Sequence, residues 1–390
     1  MTTTAGAVTA RRTHSRRVDG LTAGKLADLL RLARESGAID LAVGTPGFPL
    51  AHQNLVDGAG SMITSGRNQY EDPVGSLSLR RRLAARLTPA PDPETELTVT
   101  VGSTEALCIA MLASVDPGDE VVLFEPYYEG FLSAVRLAGA RPRFVRCGGP
   151  RWSFDPTELR AAFGPRTRAI VVNSPANPTG KVFDDAEWAE IARLCQRWDA
   201  VAISDEVYAA MVLDGRPHVS AAAVAGLEDR HVVLGSLSKS HAVSGWRLGY
   251  LRSDPARTAV FRRVHEVTTY GAPAPLQAAV AWAGLAPTDG GELAVEMVPR
   301  RDRLAAAVRE LGLEVVPTQG GCYLVARLGG ADRADVEGYV YQLLRERGVL
   351  VVPGSVFVRR GQDDAFVRIA FNRSWDILRS AVLALTPTGR

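Results

Sequence analysis

Lysine is nearly missing from this 390-residue chain: Lys25, Lys181 and Lys239 stand against 42 arginines. Where any cation serves, the chain uses arginine, so a retained lysine is a candidate for amine chemistry that a permanently protonated guanidinium cannot supply. Cysteine is scarce as well. Cys108, Cys147, Cys195 and Cys322 lie far apart and form no C-x-x-C pair. That argues against a disulfide framework or a zinc site, and for buried thiols in a reducing cytoplasm. Net charge is only +2, too little for a basic field that holds nucleic acid or an anionic membrane. No run of about 18 apolar residues is present to span a bilayer. The arginines at 11, 12, 16 and 17 are not followed by the apolar stretch of a secretory leader. No G-x-G-x-x-G follows a strand and opens a helix, and no G-x4-G-K-[ST] occurs, which removes the Rossmann dehydrogenase reading.

What is present is ordinary globular composition, 46% hydrophobic and 23% charged. The length suits two domains at roughly 100–200 residues each. Residues 1–20 read as a polar tail, and 22–36 as an amphipathic helix with Leu26, Leu29, Leu30 and Ala33 on one stripe. Residues 38–50 read as a short strand running into a Gly/Pro loop. From about residue 95, short apolar strands alternate with helices. The strands are 120–124, 169–173, 201–204 and 231–234; the helices include 104–113, 185–198 and 255–264. This alternation predicts an α/β fold with a mostly parallel sheet covered on both faces. Beyond 287 the pattern turns α+β: helices at 298–311 and 334–347, strands at 314–316, 322–326, 349–352 and 366–370. The expected division is a large domain over 51–286 and a small one formed by 21–50 with 287–390, since the N-terminal helix and strand cannot make a core alone.

Ligands of open parallel sheets sit beyond the carboxyl ends of the strands. Four strands run into chemistry there: Glu125-Pro126-Tyr127-Tyr128, Asn173 through Gly180, Asp205-Glu206-Val207-Tyr208, and Ser236-Leu237-Ser238-Lys239. A lysine amine, a carboxylate, ring-oxygen donors, an aromatic face and a hydroxyl- and arginine-rich cup together suit pyridoxal phosphate. Gly102-Ser103-Thr104 opens a helix whose N-terminus suits its phosphate.

The chain carries Asn68-Gln69-Tyr70 with Asp72-Pro73-x-Gly75, then Asn177-Pro178-Thr179-Gly180, then Asp205-Glu206-x-Tyr208. Ser236-x-Ser238-Lys239-x7-Arg247-x-Gly249-Tyr250 and Arg368-Ile369-Ala370-Phe371 follow. With these motifs in this order it resembles the fold type I pyridoxal-phosphate-dependent aminotransferases (class I/II), in the branch of aspartate, aromatic and kynurenine aminotransferases, over about residues 20–385.

The resemblance implies the following roles. Lys239 is the Schiff-base lysine and proton carrier. Asp205 pairs with the pyridine nitrogen, Tyr208 and Asn177 with the ring's phenolic oxygen, and Tyr128 stacks on the ring. Ser236, Ser238, Arg247, Ser103 and Thr104 hold the phosphate. Arg368 grips the substrate carboxylate, Gly44 lets backbone approach it, and Tyr323 faces substrate. Tyr70 and Tyr270 reach a second subunit's site, which implies a homodimer with shared active sites acting on amino acid and 2-oxo acid substrates. No metal, nucleic acid or membrane is expected.

Bland readings compete for several of these residues. Lys25 and Lys181 suit solvated surface lysines, one on a helix and one after a turn. His241 and Trp246 suit packing. Tyr127 beside Tyr128 leaves the register of the stacking aromatic open, and Asn177 sits in turn composition. Phe48 is counted among the aromatics near the mouth. Gly47 stands where many relatives carry Asp, which is expected to alter the wall near substrate. Other enzymes on the same scaffold, catalysing elimination, replacement, cyclisation or oxidation, start from the same Cα deprotonation, so the motifs do not separate them. A cofactor-sensing transcription regulator would need a DNA-binding domain ahead of the body, for which only about 20 residues are available.

Overall fold

The computed structural model describes residues 13–19, 21, 25–285, 290–363 and 365–386. Helix Lys25–Ser36 leads into the two-residue strand β1 (Ile39–Asp40), and helices Gln53–Thr64 and Leu77–Ala84 follow. The next eight strands form one sheet: β2 (Leu97–Val101), β3 (Glu120–Glu125), β4 (Arg141–Gly148), β5 (Ser153–Phe154), β6 (Thr167–Asn173), β7 (Val201–Asp205), β8 (His231–Ser236) and β9 (Leu248–Ser253). Their spatial order is β2-β9-β8-β7-β6-β3-β4-β5. The strands from β8 through β4 run parallel, whereas β9 is antiparallel to both β8 and β2.

The central strands are apolar runs because both faces are covered. Leu123, Val171 and Ile203 point to the side packed by helices Gly102–Ser114, Glu129–Leu137 and Pro255–Thr268. Val122, Ile170 and Ala202 face helices Pro156–Ala162 and Asp185–Trp198. The four expected strands are present, each extended by one or two residues.

A second sheet is antiparallel. It joins β10 (Glu314–Val316), β11 (Tyr323–Arg327), β13 (Val352–Pro353) and β14 (Phe366–Ala370) in the order β10-β11-β14-β13, while β12 (Val349–Leu350) pairs in parallel with β1. Leu29 and Leu41 share one core with Met297 and Leu304 of helix Gly290–Glu310, Leu344 and Leu378. The N-terminal segment thus joins the C-terminal elements, as its lack of a core of its own requires. The stretch expected as one strand over 349–352 is two short strands, and the helix expected from 298 starts at Gly290. Pro299 lies inside that helix. Of the amphipathic helix expected over 22–36, residues 22–24 lie outside the described residues, as does most of the polar tail.

Candidate active site

Strands β6, β7 and β8 end side by side. Asn173 pairs in register with Asp205, and Asp205 with Leu234. Asn173 Nδ2 donates to the Asp205 carbonyl at 2.9 Å, locking the two strand ends together. At the end of β8, the Ser236 hydroxyl accepts from the Ser238 N–H at 3.0 Å and caps the one-turn helix Leu237–Ser240. That cap aims Lys239 back over the sheet edge.

These groups line a cleft of about 280 Å³. Gly44, Ser103, Thr104, Tyr128, Asn173, Asn177, Asp205, Tyr208, Ser236, Ser238, Lys239, Arg247, Tyr323 and Arg368 all border it. Tyr70 and Tyr270 do not. They lie outside it, exposed, their rings edge-to-face at 5.2 Å.

Burial, reinforced by the Arg368 guanidinium, holds the Lys239 amine below its usual pKa. Its Nζ donates to the Gly44 carbonyl at 2.8 Å. A side chain on Gly44 would collide with the Tyr323 hydroxyl, so only glycine fits between them. Asp205 is buried, and desolvation pushes its carboxyl up to about 7. One oxygen accepts from the Val207 N–H at 3.2 Å, and no ion pair reaches it among the described residues. A buried carboxylate of this kind needs a cationic N–H partner from the cleft.

One part of the cleft is bordered by Ser103 and Thr104 at the N-terminus of helix Gly102–Ser114. Gly102 adopts φ +73°, and any Cβ there would strike the Arg247 guanidinium. Arg247 itself sits at φ +54°, a left-handed conformation costing about 1 kcal/mol or more for a non-glycine residue. The site holds that strain so that the guanidinium lies over the helix end.

Arg368, buried, donates through Nη1 to Asn177 Oδ1 at 2.8 Å and through Nη2 to the Ala42 carbonyl at 2.6 Å. Its charge lies 4.0 Å over the Tyr323 ring, and its Nε has no partner. With Oδ1 engaged, Asn177 keeps its amide N–H₂ free to donate into the cleft.

Several expectations need correction. Lys181 is no surface lysine. It is buried, donates to Glu187 at 2.6 Å, and lies 4.8 Å over the Phe183 ring. Phe48 is not at the mouth; it packs under the Arg300 guanidinium at 3.8 Å. Gly47 is not in the cleft wall either. Its N–H donates to the Asn372 carbonyl, and a Cβ there would press on Arg373 and Ser374.

The Tyr127–Tyr128 ambiguity resolves. Tyr127 is buried in the sheet's core, and Tyr128 faces the cleft. His241 is buried outside the cleft, its pKa pushed down to about 4 by burial. The sequence reading missed Val43, Thr45, Val207 and Ser244, which also line the cleft. Thr45 and Ser244 flank recognisable motif residues; the two valines carry no polar signal. Among the described residues, no cluster of His, Cys, Asp and Glu could hold a metal, and no helix is long and apolar enough to cross a membrane.

Known proteins are similar to this chain in sequence and fold. The profile of the family described as aminotransferase class I and II matches residues 36–385. The probable N-succinyldiaminopimelate aminotransferase DapC of Mycobacterium tuberculosis is 34% identical over 380 residues, covering 92% of this chain and 94% of that protein. Kynurenine–oxoglutarate transaminase 3 of Rattus norvegicus is 31% identical over 375 residues, covering 88% and 83%. The solved N-succinyldiaminopimelate aminotransferase from M. tuberculosis superposes with a TM-score of 0.89 at 33% identity, over 95% of this chain and 99% of that one. The structure of YbdL from Escherichia coli, a protein with an identified methionine aminotransferase function, superposes with a TM-score of 0.90 at 28% identity, over 96% of this chain and 99% of that one.

Proposed function

The chain belongs to the class I and II aminotransferase family, and from that premise we propose how its cleft moves an amino group from an L-amino acid to a 2-oxo acid. It is an amino-group-transferring enzyme of the fold type I architecture. The family implies pyridoxal 5′-phosphate, and the cleft suits that group: Asp205 is a buried carboxylate in need of an N–H cation, facing an anion cradle across the cleft. When bound, that cofactor supplies an aldehyde that captures amines and a ring that takes up the electrons of the breaking Cα–H bond.

The chain's own residues do the rest. Arg247, the amides at 103–104 and the hydroxyls of Ser103, Thr104, Ser236 and Ser238 hold the phosphate. Asp205 keeps a proton on the ring nitrogen. Tyr128 lies against the ring, and Tyr208 with Asn177 donates to its phenolic oxygen. Arg368 turns its unpartnered Nε and its Nη groups to the substrate carboxylate, while Tyr323 and the Gly44 backbone bound the same end. Lys239, whose amine burial holds below its usual pKa, carries the proton from substrate Cα to cofactor C4′.

The convergence of Lys239, Asp205 and Arg368 on one cleft is the observation that carries this reading. The two-domain division at 51–286 and at 21–50 with 287–390, a cytoplasmic location and a homodimer belong to the same proposal. For the dimer, Tyr70, Val56, Ile63, Val267 and Trp282 are exposed apolar side chains available to a second copy. Light scattering that gives a monomer mass would remove the shared site.

The test mixes cofactor-loaded protein with single amino acids. A 2-oxo acid and the pyridoxamine form of the cofactor are expected; ammonia release with the aldehyde form retained would replace transamination with elimination.

A further inference from the structure

We propose that Arg373 is the positioning residue that keeps the 40–45 segment seated over the cleft while Lys239 and Arg368 are engaged by ligands, an inference that rests on the function proposed above. Every carbonyl from 40 to 45 accepts a hydrogen bond. Arg373 Nε serves Asp40 at 2.8 Å, the Ala370 N–H serves Leu41 at 2.7 Å, and Arg368 serves Ala42 at 2.6 Å. Arg373 Nη2 serves Val43, Lys239 serves Gly44 at 2.8 Å, and Arg373 Nη1 serves Thr45 at 3.0 Å. Two of these donors, Lys239 and Arg368, belong to the reaction. An amine that condenses with an aldehyde gives up its two N–H hydrogens in the departing water and can no longer donate to the Gly44 carbonyl. A guanidinium that clamps a carboxylate through its unpartnered Nε and remaining N–H groups is drawn toward that ligand, which competes with its bonds to Ala42 and Asn177. The side-chain support that Lys239 and Arg368 give the segment is therefore weakened at the moment its position matters, because Gly44 and Thr45 are part of the cleft wall.

Arg373 is free of that competition. It is 5% exposed and does not border the cleft. Its Nη1 also donates to Asn372 Oδ1 at 2.9 Å, which fixes the fork beneath the segment. The same turn takes the far end of the loop, where the Gly47 and Phe48 N–H groups donate to the Asn372 carbonyl at 2.9 and 3.2 Å. A planar guanidinium reaches three carbonyls at once; the single ammonium of lysine cannot.

The test compares Arg373→Ala and Arg373→Lys with the wild type, each loaded with cofactor. In both variants KM for the amino acid should rise about tenfold or more with kcat changed less, at undiminished cofactor content, the loss expected from removing a net charged hydrogen bond or two. Amide hydrogen exchange at 42–48 should quicken about tenfold in the loaded variants and much less without cofactor, where Lys239 and Arg368 still hold the segment. In the wild type, protection of 42–48 should survive cofactor and amino acid; that measurement needs no variant. An increase of about tenfold on loading the wild type would show that Lys239 and Arg368 hold the loop, and would overturn the proposal. So would variants with wild-type KM and exchange. Loosened exchange in a protein that transfers no amino group would count against the proposed function, whereas normal exchange in an active enzyme counts against Arg373 alone.

Discussion

On the floor of the cleft, Asn173, Asp205 and Ser236 end three neighbouring parallel strands, and each is followed at once by the rest of its motif. The wall above is assembled differently. It joins residues 40–45 to Arg368 and Arg373, partners separated by 326 positions in the pair Arg368–Ala42. The floor gets its geometry from sheet register, which places strand ends side by side without long side-chain reach. The wall gets its geometry from cations reaching across to carbonyls, so its shape depends on a few guanidinium groups. Substitutions on the floor should therefore cost chemistry, and substitutions in the wall should cost substrate affinity.

Lys239→Ala is the most severe test of the floor. Turnover should fall by ~10³-fold or more, since the same amine binds the cofactor and moves the proton. Cofactor titration followed by borohydride should leave no reduced adduct on the protein. Survival of an adduct would move the chemistry to another lysine.

Asp205→Asn should lower kcat by ~10²-fold or more, because a neutral amide cannot stabilise the ring cation. It also carries a pH signature. The folded pKa of Asp205, about 7, lies above the ordinary carboxylate value. A raised folded pKa contributes stability that is complete below about pH 4 and is lost as pH rises through about 7. The cofactor-free wild type should therefore gain more than Asp205→Asn on acidification from pH 8 to pH 5, because the amide has no proton to take up. At pH 8 the variant should melt higher by ~5 °C or more. Equal melting curves would mean that Asp205 is already paired.

In the wall, Arg368→Ala should raise KM for amino acids by ~10²-fold, two charged hydrogen bonds' worth, with near-normal cofactor content. Unchanged affinity would take Arg368 out of the substrate site. The smallest effect is Gly44→Ala, about tenfold in kcat/KM, the scale of a modest overpacking penalty. Its new methyl would meet the Tyr323 hydroxyl. The double variant with Tyr323→Phe, which removes that hydroxyl, should recover part of the loss; no recovery would locate the strain elsewhere.

The floor was legible in the sequence and the wall largely was not, for the same physical reason. Val122, Ile170 and Ile203 sit in continuous apolar runs, and a strand buried on both faces can be read as such. Strands β2, β4 and β9 escaped notice. β4 alternates exposed and half-buried residues near the sheet edge, and β9 carries a glycine and runs against its neighbours. Lysine scarcity singled out Lys239, while Lys181 was misjudged because its burial against Glu187 and the Phe183 ring is tertiary packing that no local pattern marks. Arg373 could not be distinguished among 42 arginines, and nothing local marks it. What sets it apart is that three backbone carbonyls from the opposite end of the chain converge on it.

The rarity of lysine also makes the decisive measurement simple. The protein is loaded with pyridoxal phosphate, reduced with borohydride and digested, and the pyridoxyl group is mapped by mass spectrometry. Three peptides contain a candidate amine besides the chain's N-terminus. The group should appear on the peptide holding Lys239. Its appearance on Lys25 or Lys181, or on none of them, would contradict the account.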